Sequence, residues 1–230
     1  MILGLLKEHG SETRVALLPE TVKVFTDLKV EVLVEEGAGE SAFASNSQYQ
    51  DVGAKVVSRS EVFDKAEVLL QIAPPDEGDI AKIKENQVWI SAFNPLWETE
   101  LVKTFLKKGL TTFSLDSIPR TTKAQSMDIL SSMATVSGYM AVLDAASKLP
   151  TFFPMFMTAA GTIRPANVLI LGAGVAGLQA IATSRRLGAQ VQVFDVRSAV
   201  KEEVMSLGGK FVEVEGAVED KAAGGYAVEQ

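Results

Sequence analysis

The run Asn167-Val-Leu-Ile-Leu-Gly-Ala-Gly-Val-Ala-Gly-Leu178 has the spacing most specific for chemistry in this chain. Gly172, Gly174 and Gly177 stand in G-x-G-x-x-G order behind four apolar residues, Val168 to Leu171, which read as a buried parallel strand. Val175 to Leu187 then has helical character, and a second apolar run, Gln190 to Phe194, ends in Asp195. Each glycine has its own physical task. Gly172 permits the tight strand-to-helix turn, Gly174 lets the backbone approach a pyrophosphate, and Gly177 lets helix and strand pack closely. The helix start offers free N–H groups and a positive dipole end to phosphates. An acid at Asp195 accepts hydrogen bonds from the adenosine ribose hydroxyls and disfavours a 2′-phosphate. The bland alternative is a glycine turn that serves packing alone. Strand, turn, helix, strand and terminal acid in this order favour a dinucleotide site with NAD(H) as its cofactor.

The other reactive groups narrow the chemistry. The chain has no cysteine, which excludes disulfides, thiolate nucleophiles and cysteine-ligated metals. Its one histidine, His9, precedes Gly10 and reads as a solvated loop residue; no histidine-rich metal site exists, and no metal is expected. Arg, Lys, carboxylates, Tyr and hydroxyls remain, so a redox role must take its reactive atom from a cofactor. A net charge of −7 argues against nucleic acid or an anionic membrane as a direct partner. No uninterrupted apolar run approaches the ~18 residues needed to span a bilayer, and the N-terminus reads as a first strand.

Strand-like runs at 2–6, 30–34, 55–57, 68–72, 88–92 and 110–114 alternate with helical stretches at 19–28, 47–52, 79–84 and 98–108. That succession predicts an α/β protein with a parallel, doubly wound sheet. Residues 127–149 read as one long helix ending before Pro150, with Gly138 a tolerated blemish, and 151–165 as a loop. The expected organisation is an N-terminal α/β domain at 1–126, a linking helix and loop at 127–165, and a Rossmann-type nucleotide domain at 166–230. About 65 residues follow Pro165, enough for half of a dinucleotide-binding domain. The second domain is therefore expected to be cut short, as in a fragment or one portion of a split protein.

Several further stretches carry a resemblance. They are Lys7-Glu8 with Glu12-Thr-Arg-Val-Ala16, Glu36-Gly-Ala-Gly39, Asp116-Ser-Ile-Pro-Arg120, Ala124-Gln-Ser-Met-Asp128 with Ser131-Ser-Met133, Met157-Thr-Ala-Ala-Gly-Thr162 and Gly224-Gly-Tyr226. With the glycine fingerprint they make the chain resemble the alanine dehydrogenase and nicotinamide nucleotide transhydrogenase superfamily. Within it, the likeness is to the NAD(H)-binding domain of the proton-translocating transhydrogenase alpha subunit. The resemblance implies that Arg120, Gln125 and Asp128 sit against the nicotinamide half of NADH as the catalytic group. It implies that Gly172, Gly174, Val175, Gly177, Asp195, Val196 and Arg197 hold the rest, while Gly225 and Tyr226 lie on a loop that closes over the nucleotide. From the residues alone, Arg120 and Asp128 serve equally well as caps of the long helix, Tyr226 as a residue of a polar tail, and Arg197 as a solvated helix-start residue.

Departures from the family pattern separate its branches. Dehydrogenases of the family carry a catalytic lysine where Ala73 stands and a histidine where Asn94 stands; Arg14 remains at the substrate-carboxylate position, where an internal ion pair is equally open. Deamination needs proton transfers, which alanine cannot perform. The resemblance therefore implies an enzyme of the transhydrogenase kind, presenting NADH for direct hydride transfer to NADP⁺ on a partner domain or subunit. It also implies a membrane proton-channel partner, a homodimer, and a cytoplasmic place peripheral to the inner membrane, on the matrix side in a mitochondrion. Two alternatives stay open: an alanine dehydrogenase-like amino-acid dehydrogenase, and a non-catalytic nucleotide-binding or dimerisation module.

Overall fold

Val, Ile and Leu recur through the first half of the chain in runs too short for a buried helix, and the runs at 2–6, 30–34, 55–57, 68–72, 88–92 and 110–114 each yield a strand. The computed structural model describes residues 1–119, 121 and 123–214. The chain divides into two compact units, Met1–Asp128 and Ile129–Gln230.

In the first unit the strands are β1 (Ile2–Leu5), β2 (Glu31–Glu35), β3 (Lys55–Val57), β4 (Val68–Leu70), β5 (Val88–Ser91) and β6 (Thr111–Ser114). They form one parallel sheet in the order β3-β2-β1-β4-β5-β6. The order reverses at β1, so the ends of β1 and β4 flank a switch point of the doubly wound kind. Helices α1 (Pro19–Asp27), α2 (Asn46–Asp51), α3 (Arg59–Lys65), α4 (Glu77–Lys82) and α5 (Thr99–Lys107) supply the crossovers. The strand period of two splits the core between the faces. Val32 and Val34 join Val22 and Tyr49 in one cluster, and Leu33 joins Val62, Phe63 and Trp89 in another. The Tyr49 hydroxyl, buried, donates to the Leu17 carbonyl at 2.8 Å, and burial pushes its pKa up to about 12.

Helix α3 has no counterpart among the expected elements. Its apolar content is Val62 and Phe63, too little for a visible period, but the Ser58 hydroxyl accepts the Glu61 N–H at 3.3 Å and starts it.

The second unit opens with α6 (Ile129–Lys148). By length and composition alone α6 is apolar enough to cross a bilayer, with mean hydropathy 1.3. Uninterrupted apolar runs do not reveal this, because Ser131, Ser132, Thr135 and Ser137 break the sequence of α6; the last three return their hydroxyls to helix carbonyls. Gly138 is no blemish. A Cβ there would lie 2.1 Å from the Ala176 carbonyl oxygen of α7 (Val175–Arg186), so the two helices meet backbone to side-chain-free backbone. The expected loop at 151–165 contains an antiparallel hairpin, β7 (Phe156–Thr158) with β8 (Gly161–Ile163), turned at Ala159-Ala160 and followed by Gly161 at φ +135°.

Strands β9 (Asn167–Leu171), β10 (Gln190–Phe194) and β11 (Lys210–Phe211) pair in parallel in the order β11-β10-β9, with α8 (Lys201–Ser206) between the last two in sequence. The burial expected for Val168–Leu171 is observed on one face only, where Val168 and Ile170 pack half-buried against the core of the unit. Among the described residues β9 pairs with β10 alone, and Leu169 and Leu171 are 59% and 75% exposed.

Candidate functional site

The glycine fingerprint forms the junction between β9 and α7. Gly172 donates its N–H to the Phe194 carbonyl at 2.8 Å. Its φ of +96° explains why glycine stands there. Gly174 is the N-cap of α7 in extended conformation, and among the described residues no side chain caps it. Among the described residues, a Cβ at Gly172 or Gly174 would meet nothing within 4 Å, whereas one at Gly177 would lie 1.9 Å from the Gly172 carbonyl oxygen. The third glycine therefore packs the turn, and the first two keep space beside it. Uncapped N–H groups facing open space suit a pyrophosphate. Val175 is the first residue of α7, and Arg185 and Arg186 in its last turn complement the opposite dipole end.

Asp195, at the end of β10, is 8% exposed and reaches the turn directly. Its Oδ2 accepts the Ala173 N–H at 2.7 Å and Arg197 Nη2 at 2.9 Å; its Oδ1 accepts the Arg197 N–H at 2.8 Å and Nε at 2.9 Å. Burial alone would raise the carboxyl, but the guanidinium and the two N–H groups outweigh it and hold the pKa at about 2. The same pairing raises Arg197. Arg197 is therefore the partner of Asp195 and not a solvated helix-start residue. Val196, half-buried, lies between them in the chain. Ala173 carries no signal in the sequence because its contribution is a main-chain N–H, which any residue type but proline supplies.

The structure thus gathers Gly172, Gly174, Val175, Gly177, Asp195, Val196 and Arg197 around one turn. Gln125 and Asp128 belong to the first unit: Gln125 is exposed in a short 3-10 turn, and Asp128 is half-buried just before α6. Arg120, Gly225 and Tyr226 lie outside the described residues.

The switch point of the six-stranded sheet is built differently. Glu8, past β1, accepts the N–H groups of Ile72 at 2.6 Å and Ala73 at 3.0 Å, stitching the ends of β1 and β4 together. Burial raises its carboxyl against those two bonds. Arg59 binds Glu35 at 2.5 Å and also Asp79, whose side chain is 2% exposed. His9 Nε2 lies 2.8 Å from Asp79 Oδ2 and 3.0 Å from Arg59 Nη2, so it is half-buried and engaged, not the solvated loop residue expected. His9, Asp76 and Asp79 bring potential metal-ligand atoms within 4.8 Å of one another, but the Arg59 guanidinium already supplies a cation on Asp79. Burial alone would raise Asp79; the bonds from Arg59 and His9 prevail and lower it. Arg14 is clamped by Glu12 through contacts of 2.8 and 2.6 Å, and that bond holds Glu12 at about 2. Asn94, at φ 45°, is exposed and opens a turn in which the N–H groups of Trp97 and Glu98 return to its carbonyl.

A parallel sheet with an open glycine turn and an acid at the next strand end defines a dinucleotide-binding α/β protein. Residues 4–137 match the alanine dehydrogenase/PNT N-terminal domain and residues 141–227 the corresponding C-terminal domain. The chain belongs to the alanine dehydrogenase/PNT family. It is 45% identical over 238 residues to the first portion of the NAD(P) transhydrogenase subunit alpha of Rhodospirillum rubrum, covering 100% of this chain and 62% of that protein. The solved transhydrogenase from Sinorhizobium meliloti superposes with a TM-score of 0.89 at 43% identity, over 93% of this chain and 64% of that one. An L-alanine dehydrogenase shares the fold with a TM-score of 0.82 at 24% identity, over 92% of this chain and 60% of that one. The chain thus spans less than two thirds of these relatives' lengths.

Proposed function

We propose that this chain is the NAD(H)-binding component of a proton-translocating NAD(P) transhydrogenase, positioning NADH for direct hydride transfer to NADP⁺ on a separate NADP-binding domain or subunit. The observation that carries the reading is the Asp195 carboxylate pinned to the Ala173 N–H beside an uncapped helix start. The names of the relatives, and the side chains at Ala73 and Asn94, support it over an amino-acid dehydrogenase.

Bound NADH supplies the hydride. The N–H groups of Gly174 and the first turn of α7 hold the pyrophosphate, Asp195 accepts from the adenosine ribose, and Val196 and Arg197 border it. Arg120, Gln125 and Asp128 orient the nicotinamide through planar cationic, amide and carboxylate groups. Gly225 and Tyr226 belong to a lid that excludes water. No side chain acts as acid or base, because the barrier falls by placing two rings at near-attack distance. A membrane proton-channel subunit completes the enzyme, a second copy pairs with this one, and the chain sits on the cytoplasmic or matrix face of the membrane through its partners. On this reading the domains fall at 1–126, 127–165 and 166–230.

The test is reconstitution with a purified NADP-binding partner. Arg120→Ala, Gln125→Asn and Asp128→Asn should each slow hydride transfer about a hundredfold at saturating NADH while leaving adenosine-end affinity nearly unchanged. Unchanged transfer rates would make these residues helix-start structure only, and NAD-dependent oxidation of L-alanine by the isolated chain would overturn the reading.

A further inference from the structure

A carboxylate has about four acceptor positions, and Asp195 uses all four. Two donors are main-chain N–H groups, of Ala173 and Arg197, and two are guanidinium N–H groups of Arg197. The main-chain pair fixes the carboxylate on the turn. The guanidinium pair is exchangeable, and a ribose 2′,3′-diol brings the same number of donors. A nucleotide can therefore take the place of the guanidinium on Asp195 without leaving the carboxylate short of partners. The displaced cation must stay near, because its own main-chain N–H anchors residue 197 to Oδ1 at 2.8 Å. A 2′-phosphate has no hydroxyl donor for Asp195, but it is a ligand for a planar guanidinium.

We propose that Arg197 is a specificity-determining residue, which yields Asp195 to a ribose diol and offsets the rejection of a 2′-phosphate, so that NAD(H) and NADP(H) are told apart less sharply than Asp195 alone would dictate. The proposal rests on the dinucleotide reading of the glycine turn. Discrimination here is the balance of two side chains, one repelling and one attracting the same phosphate. Removing the attracting one sharpens the preference, and removing the repelling charge blunts or inverts it.

The experiment is equilibrium titration of NADH, NADPH and adenosine 2′-phosphate into the full chain and its R197A, R197K and D195N variants. For R197A, NADPH affinity should fall further than NADH affinity, raising the NADH-to-NADPH preference about tenfold, the scale of one charge-assisted hydrogen bond. R197K, which keeps the charge without the fork, should fall between. D195N should shift the preference toward NADPH and tighten adenosine 2′-phosphate, and added salt should weaken NADPH more than NADH in the unaltered chain. An unchanged or reduced preference in R197A, with NADH still bound, would overturn the role of Arg197 and leave the dinucleotide site standing. If the unaltered chain binds neither nucleotide, the reading of the turn fails and the proposal with it. Amide exchange at Ala173 checks that each variant keeps the turn.

Discussion

The two units put their strand ends to opposite use. At the switch point of the six-stranded sheet Glu8 is taken up by Ile72 and Ala73, Asp79 by Arg59 and His9, and Glu12 by Arg14. At the glycine turn of the second unit, among the described residues, space is left where a Cβ would touch nothing, and α7 starts without a side-chain cap. The same α/β logic, a crevice beyond the carboxyl ends of parallel strands, has been sealed in one unit and kept open in the other. In the first unit long charged side chains span the crevice, whereas in the second the guanidinium of Arg197 stays on Asp195, two residues away, and the glycine turn is left to main-chain donors. An arginine or glutamate can reach across a crevice and close it, whereas glycines cannot.

Breaking the sealed end should have the largest effect. Arg59→Ala strands the buried Asp79 and the largely buried Glu35 without their guanidinium and should destabilise the first unit by about 3 kcal/mol or more. Both tryptophans, Trp89 and Trp97, lie in that unit, so fluorescence-monitored denaturation reports on it alone. An NADH affinity that tracked this loss would erase the contrast between the ends. Next in size is Gly177→Ala, whose Cβ meets the Gly172 carbonyl oxygen and should cost the second unit about 1–3 kcal/mol, read by amide exchange in β9 and β10. Gly174→Ser sharpens the comparison further. Serine caps helices well, so stability should hold or rise while NADH binding weakens about tenfold or more (~1.4 kcal/mol), because the cap consumes donors meant for phosphate. Tight NADH binding by that variant would mean the turn serves packing.

The smallest effect is the acid dependence of the open end. Asp195 is depressed from 3.8 to about 2, so its contribution is complete above pH 3.8 and fades as the pH falls toward about 2. Asp195→Asn should remove that slope from the acid unfolding of the second unit, followed by amide exchange across β10. Asp79 is lowered too, so the first unit loses support in the same direction, whereas the raised carboxyl of Glu8 opposes it.

The strands are legible in the sequence because short apolar runs between turns admit few other readings, and the observed bounds of β3 and β10 match the runs at 55–57 and 190–194. The glycine turn is legible for a related reason: its requirements are written in one continuous segment. The sealed switch point is not. Glu8 meets residues 72 and 73, and Arg59 meets 35 and 79, across distances in sequence that no local pattern encodes. His9 reads as solvated for that reason, and Arg197 stays open because an arginine two residues past an acid has no unique geometry. The hairpin at 156–163 escapes notice because its strands are three residues each, exposed, with no alternation to see.

The contact at Gly138 has a consequence for how this chain tolerates change. Any side chain there pushes on the Ala176 carbonyl, and Ala176 sits between Val175 and Gly177, in the helical turn whose N–H groups face the phosphate seat. A mutational scan scored on NADH binding would therefore rank position 138 beside the fingerprint glycines, although it lies far from them in sequence and in a different helix. Substitutions there would look like ligand contacts in the phenotype and like packing defects in the structure. Such a scan would find the footprint of the nucleotide extending to a glycine that acts through the backbone of a second helix.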